Sequence, residues 1–462
     1  MEGTTKENKE EKNAADDKNT ALPSSEKATG VGYWIPRHEM VKLMVEEIDE
    51  HNRRGLGGKI SLCFGQECVS VLPNGKDNDI TVITEDASKN DTDSSTTTAK
   101  EYHANLVIGA DGMNSKVRDC LANAQPGTWS TSCVKSLKFL PKKYTSPASF
   151  LRIKVLQLPP QFEIPDTEGR PSLKTNSEKI YAIRSVNTGP RTYLSLGLLP
   201  MKDNNAVRPT NIITRPDHEV WKITDGKAMR EYFQKAFPRL NFQEGGLVTN
   251  EEWERFAKAE GTRFPSCQYS HGMAVWDESG RNGVALVGDS IHAFPPDIGQ
   301  GVNAGLMDVV CLDRALSGLE PETGKEAAAA DDDDASTTEK SKTALAANLE
   351  RYQKKHAPEI AALIRLARFG APYQYKQPHY ADRALRMLWT LNVVMRLLLS
   401  KVSLGFIQPP CIILSQNKEL TFRQVMNRAD RSTAVLKTLF ITGVAFWAKK
   451  RFGLNLFSAF NS

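Results

Sequence analysis

One stretch, "VALVGDSIHAFPPDIGQGVNAGLMDVVCL" from Val284 to Leu312, constrains the fold of this chain more than any other part of its sequence. An apolar strand ends at Gly288 and Asp289, a double proline follows, and spaced glycines precede a helical run. In open α/β folds, ligands bind beyond the carboxyl ends of the strands, where the following helices begin. The stretch therefore predicts an α/β domain with a ligand site at this turn.

The chemistry of that turn favours a particular kind of ligand. Gly299 and Gly301 stand where bare backbone N–H groups can be approached, and a helix N-terminus adds roughly half a unit of positive charge. Asp289 is suited to accept hydrogen bonds from hydroxyls such as those of a ribose or ribitol, and Pro295 and Pro296 would stiffen the wall between them. We expect an anion or an anionic ring edge to bind here.

A second segment, "NLVIGADG" at residues 105–112, has a similar pattern of an apolar strand that ends at an aspartate and a glycine. An apolar strand stops at Asp111 and Gly112, and "MNSKVRDCL" follows as a turn into a helix. Taken alone, this pattern is equally typical of an aspartate that caps the next helix. Arg118 in that helix is interpreted as the partner of acids on its own helix, and His292 in the first stretch as a residue that orders the loop.

Together, "LVIGADGMNSKVR" and "VALVGDSIHAFPPDIGQGVNAGLMD" closely resemble the Asp-Gly and Gly-Asp motifs of FAD-dependent aromatic hydroxylases, especially those of the kynurenine 3-monooxygenase type. "YWIPRHEMVKLM" resembles the arginine helix of the same family, and the match runs in order from about Tyr33 to Leu312. The resemblance implies an NAD(P)H-consuming monooxygenase that hydroxylates a small aromatic molecule with O₂ through a flavin peroxide. The implied cofactors are FAD and NADPH.

The resemblance also assigns residues to the cofactor. Arg37 would contact the FAD phosphates, Asp289 the ribitol, and Asp111 with Gly112 the flavin and nicotinamide side of the Asp-Gly motif. The residues expected along the flavin ring and its wall are Pro296, Gly299, Gln300, Gly301 and Asn303. Because the cofactor carries the chemistry, no catalytic side chain and no metal ligand are predicted.

The sequence departs from the family at its beginning. Family members start with a strand, a GxGxxG turn and a helix, which hold the ADP half of FAD. Here the early glycine cluster "RRGLGGKISLCF" follows a helix and precedes a strand, which is the wrong order for a dinucleotide loop. Two interpretations stay open: a truncated version of an active enzyme, or a non-catalytic remnant that acts as a membrane-associated interaction protein.

The predicted fold class is α/β, an incomplete Rossmann-like FAD-binding domain of the aromatic hydroxylase type with a β-rich substrate layer and a helical C-terminal region. "RHEMVKLMVEEIDEHNRRG" predicts a helix that ends at Gly55, followed by strands in "KISLCFGQECVSVLP" and "DITVITED". The predicted units are a disordered tail (1–30), the FAD-binding domain in two parts (31–130 and 261–370, with a low-complexity insertion near 322–342), the β-rich domain (131–260) and a basic helical region (371–462).

Charge is unevenly distributed along the chain. Residues 351–462 contain 18 Lys and Arg against four acidic residues, whereas the rest of the chain is mildly acidic. "ADRALRMLWTLNVVMRLLLSKVSLGFIQPP" predicts an amphipathic helix that either packs on the catalytic domain or lies in a membrane interface with its cations toward anionic headgroups. Aliphatic residues interleave the cations, which disfavours nucleic acid as a partner. Without an apolar signal region at its start, the chain is expected to be intracellular, attached to an organelle membrane if the helix binds lipid.

Overall fold

The computed structural model describes residues 33–55, 57–73, 79–86, 99–130, 136–165, 171–186, 193–318, 343–375, 380–417 and 419–452. Within these ranges the chain is a mixed α/β protein, as the sequence predicts. The predicted tail at 1–30 and the predicted insertion near 322–342 lie outside the described residues.

Helices and strands alternate unevenly along the described ranges. The helices are α1 (Arg37–Arg54), α2 (Lys116–Ala122), α3 (Gly226–Ala236), α4 (Asn250–Lys258), α5 (Gly301–Leu316), α6 (Ala344–Phe369), α7 (Tyr380–Val402), α8 (Cys411–Leu414) and α9 (Phe422–Phe452). The strands are β1 (Gln66–Pro73), β2 (Ile80–Asp86), β3 (Lys100–Ala104), β4 (Leu106–Gly109), β5 (Lys142–Tyr144), β6 (Arg152–Leu158), β7 (Glu163–Ile164), β8 (Leu173–Lys174), β9 (Tyr181–Arg184), β10 (Ser195–Leu198), β11 (Arg208–Thr214), β12 (Thr262–Arg263), β13 (Cys267–Tyr269), β14 (Ala274–Trp276), β15 (Gly283–Leu286) and β16 (His292–Ala293).

A small sheet in the order β14-β15-β4 carries both sequence motifs. β15 pairs antiparallel with β14 and parallel with β4, with Gly109 opposite Leu286. All four residues of β15 are buried, because the strand is covered by residues of α5 and α6 in the main core. A strand that is apolar without alternation is typical of such burial. The parallel pairing brings the two motifs to the same edge of the sheet.

A second core belongs to the antiparallel sheet β12-β6-β11-β10-β9 and helices α3 and α4. Its centre is Phe233, whose ring lies 5.2 Å from that of Trp253 and 5.5 Å from that of Phe256, measured between centroids. Edge-to-face aromatic pairs of this kind add to the free energy gained by burying the rings. The strands here are short and antiparallel, as the turn-rich sequence from about residue 130 to 250 predicts.

The N-terminal elements differ from the prediction in one respect. α1 ends as expected, with Gly55 in the left-handed region at φ +63°. The predicted strand in "KISLCFGQECVSVLP" begins only at Gln66, so residues 59–65 are not strand. β1, β2 and β3 form an antiparallel sheet, whereas α1 has no buried side chain.

The C-terminal region is helical, and α7 covers residues 381–402 of the predicted amphipathic segment, which runs on to Pro410. Arg396, 7% exposed, donates to the Ala429 carbonyl and to Thr433 Oγ1 at 2.7 Å, so a cation of the polar half faces α9. The expectation that this half turns its cations toward headgroups is therefore wrong for Arg396. Among the helices that the structure describes, no helix is both long enough and apolar enough to cross a membrane.

Candidate functional site

The two motif turns are joined directly by hydrogen bonds. Val287 N donates to the Gly109 carbonyl at 3.0 Å, and Ser290 Oγ donates to the same oxygen at 2.7 Å. Ser290 is completely buried, so its hydroxyl needs these partners. The Asp-Gly turn after β4 and the Gly-Asp turn after β15 consequently form one rigid surface.

Arg118 provides a second link between the turns. Its guanidinium is buried and donates to the Ser290 carbonyl at 2.9 Å and to the Met113 carbonyl at 3.1 Å. The predicted pairing with an acid of its own helix is limited to Asp119, 3.5 Å away. Hydrogen bonds from a charged donor to carbonyls are stronger than neutral ones, so Arg118 mainly positions the two turns.

Asp111 has a local structural partner. Its Oδ2 accepts a hydrogen bond from Val117 N at 3.0 Å, at the start of α2, and Gly112 beside it has φ +79°. The capping interpretation of this aspartate is therefore seen directly. Its Oδ1 and its exposed position leave room for a ligand contact, and the assignment of Asp111 and Gly112 to the cofactor stays a prediction.

Asp308 organises the opposite side of the turn. Its Oδ2 lies 2.7 Å from both Gly288 N and His292 Nε2, and its Oδ1 lies 2.6 Å from His356 Nε2. The carboxylate and both histidines are buried. His292 thus orders the loop, as the sequence predicts, and it does so through a carboxylate on α5 and a second histidine on α6.

Opposing effects decide the charges in this network. Burial raises the pKa of Asp308, but hydrogen bonds from the two histidines outweigh it and lower the pKa to about 2. Burial opposes the charged form of His356 too, which for a histidine lowers the pKa. Its hydrogen bonds to Asp308 and Cys311 outweigh burial and raise the pKa of His356 to about 9. The network is therefore a buried ion pair at neutral pH, since Asp308 is ionised and His356 is protonated.

The start of α5 fits the edge of a planar ring. Gln300 precedes the helix without a side-chain cap, so the first N–H groups are not satisfied by that residue. At Gly299, which has φ +62°, and at Gly301, a Cβ atom would meet no protein atom within 4 Å. The backbone of this turn faces open space, as a ring lying along Gly299, Gln300, Gly301 and Asn303 would require.

Asp289 and Arg37 come together although they are far apart in sequence. Burial raises the pKa of Asp289, and the nearby side chains of His292 and Arg37 oppose the rise. Both side chains still reach the surface, where a ligand can approach. Trp34 N also donates to the Pro200 carbonyl at 2.8 Å, which fixes the start of α1 against the β-rich layer.

Asp308, His356 and the link that Arg118 makes between the two turns are absent from the sequence prediction. The sequence does contain a signal for Asp308, because this residue interrupts the apolar run "GLMDVVCL". A carboxylate buried inside a helix needs partners, so its position in that run indicates a buried polar network. His356 lies 48 residues further along, so its pairing depends on tertiary contacts. The structure therefore adds a buried positioning network to the predicted cofactor surface.

Comparisons with known proteins bear on this surface. Residues 258–337 match a family model described as an FAD binding domain. The ubiquinone biosynthesis monooxygenase COQ6, mitochondrial, of Schizosaccharomyces pombe is 27% identical over 249 residues, covering 48% of this chain and 43% of that protein. The kynurenine 3-monooxygenase of Phaeosphaeria nodorum is 30% identical over 214 residues, covering 45% of this chain and 35% of that protein. The chain thus matches less than half the length of each.

Two solved structures align with most of this chain at low sequence identity. Klebsiella pneumoniae HpxO complexed with FAD and uric acid aligns over 76% of this chain and 66% of its own, with 16% identity and a TM-score of 0.39. Pseudomonas aeruginosa PqsL in complex with 2-aminobenzoylacetate aligns over 73% and 69%, with 19% identity and a TM-score of 0.37.

Proposed function

Because residues 258–337 match an FAD binding domain, we propose that this chain is an FAD-dependent monooxygenase that hydroxylates a small aromatic molecule with O₂ and NAD(P)H. The observation that carries the proposal is the parallel pairing of β4 with β15 beside the uncapped, glycine-rich start of α5. This pairing joins two motif turns and a helix N-terminus at one surface. Such a surface suits a cofactor that is anionic along one edge.

The residues proposed to hold FAD divide by the part of the cofactor they would meet. Asp289 would accept ribitol hydroxyls, and Arg37 beside it would meet the phosphates. The remaining cofactor residues are Asp111, Gly112, Pro296, Gly299, Gln300, Gly301 and Asn303. Bound FAD would supply the oxygen chemistry, and the α5 N-terminus would stabilise negative charge on the adjacent ring edge. Ser290, Arg118 and Asp308 hold these turns in place.

Flavin binding tests the proposal. Purified full-length chain should show the visible absorbance of a flavoprotein, or gain it on titration with FAD. NADPH and NADH oxidation should then be stimulated by one member of a panel of aromatic substrates that includes kynurenine. The variant Asp313→Ala, on an exposed position of α5, serves as a control that should retain FAD. A chain that neither carries nor acquires flavin would contradict the proposal.

A second candidate function is that of a membrane-associated protein, with or without catalysis. The observation behind it is a set of exposed apolar side chains on α7 and α9 within a region of formal charge +14, among them Leu391 at 64% and Phe440 at 72% exposed. Apolar area and cations together favour an anionic lipid surface. Attachment to the surface of an intracellular organelle follows as part of this proposal.

A further inference from the structure

Asp297 is a buried carboxylate that the proposed cofactor site does not use. It lies on the turn between Pro296 and Gly299, and only 7% of its surface is exposed. Neither carboxylate oxygen accepts a hydrogen bond from the part of the chain that the structure describes. A buried carboxyl group without a donor costs folding free energy, so its presence calls for a ligand or a catalytic use.

Two titratable side chains, Tyr375 and Cys267, lie near this carboxylate. Burial raises the pKa of the Tyr375 hydroxyl and raises that of the Cys267 thiol to about 11, and the negative charge of Asp297 contributes to both, so both groups lie near it. Tyr375 packs edge-on against Phe264, with ring centroids 5.9 Å apart. Cys267 pairs across β13 and β5 with Tyr144. Aromatic rings therefore belong to the residues near Asp297 and to their direct neighbours, and an aromatic ligand can pack edge-on or face-on against such rings.

A positive charge lies near the same group of residues. The Arg368 guanidinium lies over the Tyr144 ring, 4.1 Å from its centroid, and its charge lowers the pKa of Cys267 while that of Asp297 raises it. Both charges therefore lie close enough to Cys267 to change the pKa of its thiol. Because Arg368 offsets the attraction that Asp297 would exert on a cation, a neutral group that donates a hydrogen bond suits the site at least as well.

We propose that Asp297 determines substrate specificity by accepting a hydrogen bond from a neutral hydroxyl or amino group on an aromatic substrate. The proposal rests on the proposed function, because Asp297 is two residues before Gly299, where the cofactor ring is placed. Burial alone raises the pKa of Asp297 to about 7. The donor would offset this penalty by satisfying a desolvated acceptor.

Ligand affinity measures this role directly. Full-length chain is first scored for FAD by its visible absorbance, and then titrated calorimetrically at pH 8 with phenol, aniline and toluene as probes. Wild type should bind phenol and aniline at least about tenfold tighter than toluene, since toluene leaves the buried acceptor without a hydrogen bond. In Asp297→Leu this preference should disappear, and Asp313→Asn, at an exposed position of α5, should leave it unchanged.

Thermal unfolding tests separately whether Asp297 is buried without a hydrogen-bond donor. Because burial raises its pKa, Asp297 lowers stability increasingly as pH rises from about 4 to about 7. Asp297→Asn should therefore raise Tm at pH 8 by at least about 3 °C, with a smaller gain at pH 5. A lower Tm at pH 8 would show that Asp297 has a stabilising partner and would overturn the proposal.

The outcomes separate this proposal from the proposed function. If FAD is absent, the monooxygenase proposal fails, while the Tm comparison still tests the burial of Asp297 without a donor. If FAD binds and Asp297→Leu keeps the preference for phenol over toluene, the specificity role is wrong. If Asp297→Leu instead loses FAD while Asp313→Asn keeps it, Asp297 serves the cofactor, and the substrate assignment is overturned.

Discussion

Two carboxylates on either side of the start of α5, Asp297 and Asp308, show how surroundings decide the charge of a side chain. Asp308 is close to three hydrogen-bond donors and has a pKa of about 2, although it is completely buried. Asp297 has no donor among the described residues, and burial raises its pKa to about 7. Burial alone therefore accounts for the raised pKa of Asp297 but not for the lowered pKa of Asp308. Asp308 is suited to hold the turn, and Asp297 to meet a ligand.

The Asp308–His356 pair should make stability depend on pH. The raised pKa of His356, about 9, contributes stability that is complete below about pH 6.5 and is lost as pH rises through 9. The shift corresponds to about 3 kcal/mol. The variant His356→Gln should flatten the fall in unfolding free energy between pH 6.5 and 9, measured by denaturant titration.

Two features sharpen that measurement. The variant His38→Gln, at an exposed position, is the matched control and should keep the wild-type slope.

Asp308 does not disturb the measurement between pH 6.5 and 9. Its lowered pKa contributes stability that is present above about pH 4 and is lost only as pH falls through 2. An unchanged slope in His356→Gln would mean that the pair titrates alike in the folded and unfolded chain.

Asp289 offers a test of cofactor recognition at a single residue. If its carboxylate accepts ribitol hydroxyls, Asp289→Ala should weaken FAD binding by about 1.5–3 kcal/mol, the range for hydrogen bonds to charged groups. Flavin fluorescence titration of wild type, Asp289→Ala and the exposed control Asp313→Ala gives the three affinities. If Asp289→Ala binds FAD as tightly as wild type, Asp289 stabilises the turn and does not contact the cofactor.

At the scale of elements, α2, α5 and α6 hold the ends of β4 and β15. Arg118 extends from α2 to the carbonyls of both turns, and Asp308 on α5 binds Gly288 N. Gly305 packs directly on the same turn, since a Cβ at this position would lie 3.5 Å from the Gly288 Cα. The helices therefore fix the spacing between the two motif turns.

Removing Arg118 should loosen both turns at once. Arg118→Ala deletes two hydrogen bonds from a buried charged group and leaves the carbonyls of Ser290 and Met113 without that donor, at a cost of about 2–4 kcal/mol. FAD affinity should fall with stability, although Arg118 is not assigned to the cofactor. Chemical denaturation and FAD titration check the two effects, with the exposed Arg281→Ala as control. If Arg118→Ala loses stability but binds FAD as tightly as wild type, Arg118 stabilises the fold without positioning the cofactor site.

Across the whole molecule, apolar side chains are exposed on several helices. They include residues of α1, α5, α7 and α9: Val41, Leu43, Met44, Val302, Leu306, Val309, Leu388, Leu391, Leu398, Phe440, Phe446 and Trp447. Where exposed apolar side chains lie next to one another on a helix, the surface they form is typical of an interaction site. On α7 the polar residue Arg396 faces α9, so the outward face of this helix is largely apolar.

Liposome binding tests the role of the C-terminal surface. The full chain should sediment with anionic vesicles and be released in part by high salt, because each cation near the lipid contributes about 1 kcal/mol within a Debye length. A variant with Leu391, Leu398 and Phe440 changed to Ser should bind less, since these side chains are exposed and make little contribution to the core. If the full chain stays in the supernatant with anionic and neutral vesicles alike, the membrane proposal fails.

The sequence by itself determined the local elements and the chemistry of the motif turns. The helix ending at Gly55, the strand before Asp289 and the glycine-rich start of α5 follow from periodicity and turn chemistry within a few residues. Tertiary structure alone decided which distant groups meet: Arg118 with Ser290, His356 with Asp308, and Arg396 of α7 with Thr433 of α9. It also left Asp297 buried, with no donor among the described residues. The physical reason is that burial and hydrogen-bond partners depend on packing between segments far apart in the chain, which local pattern does not encode.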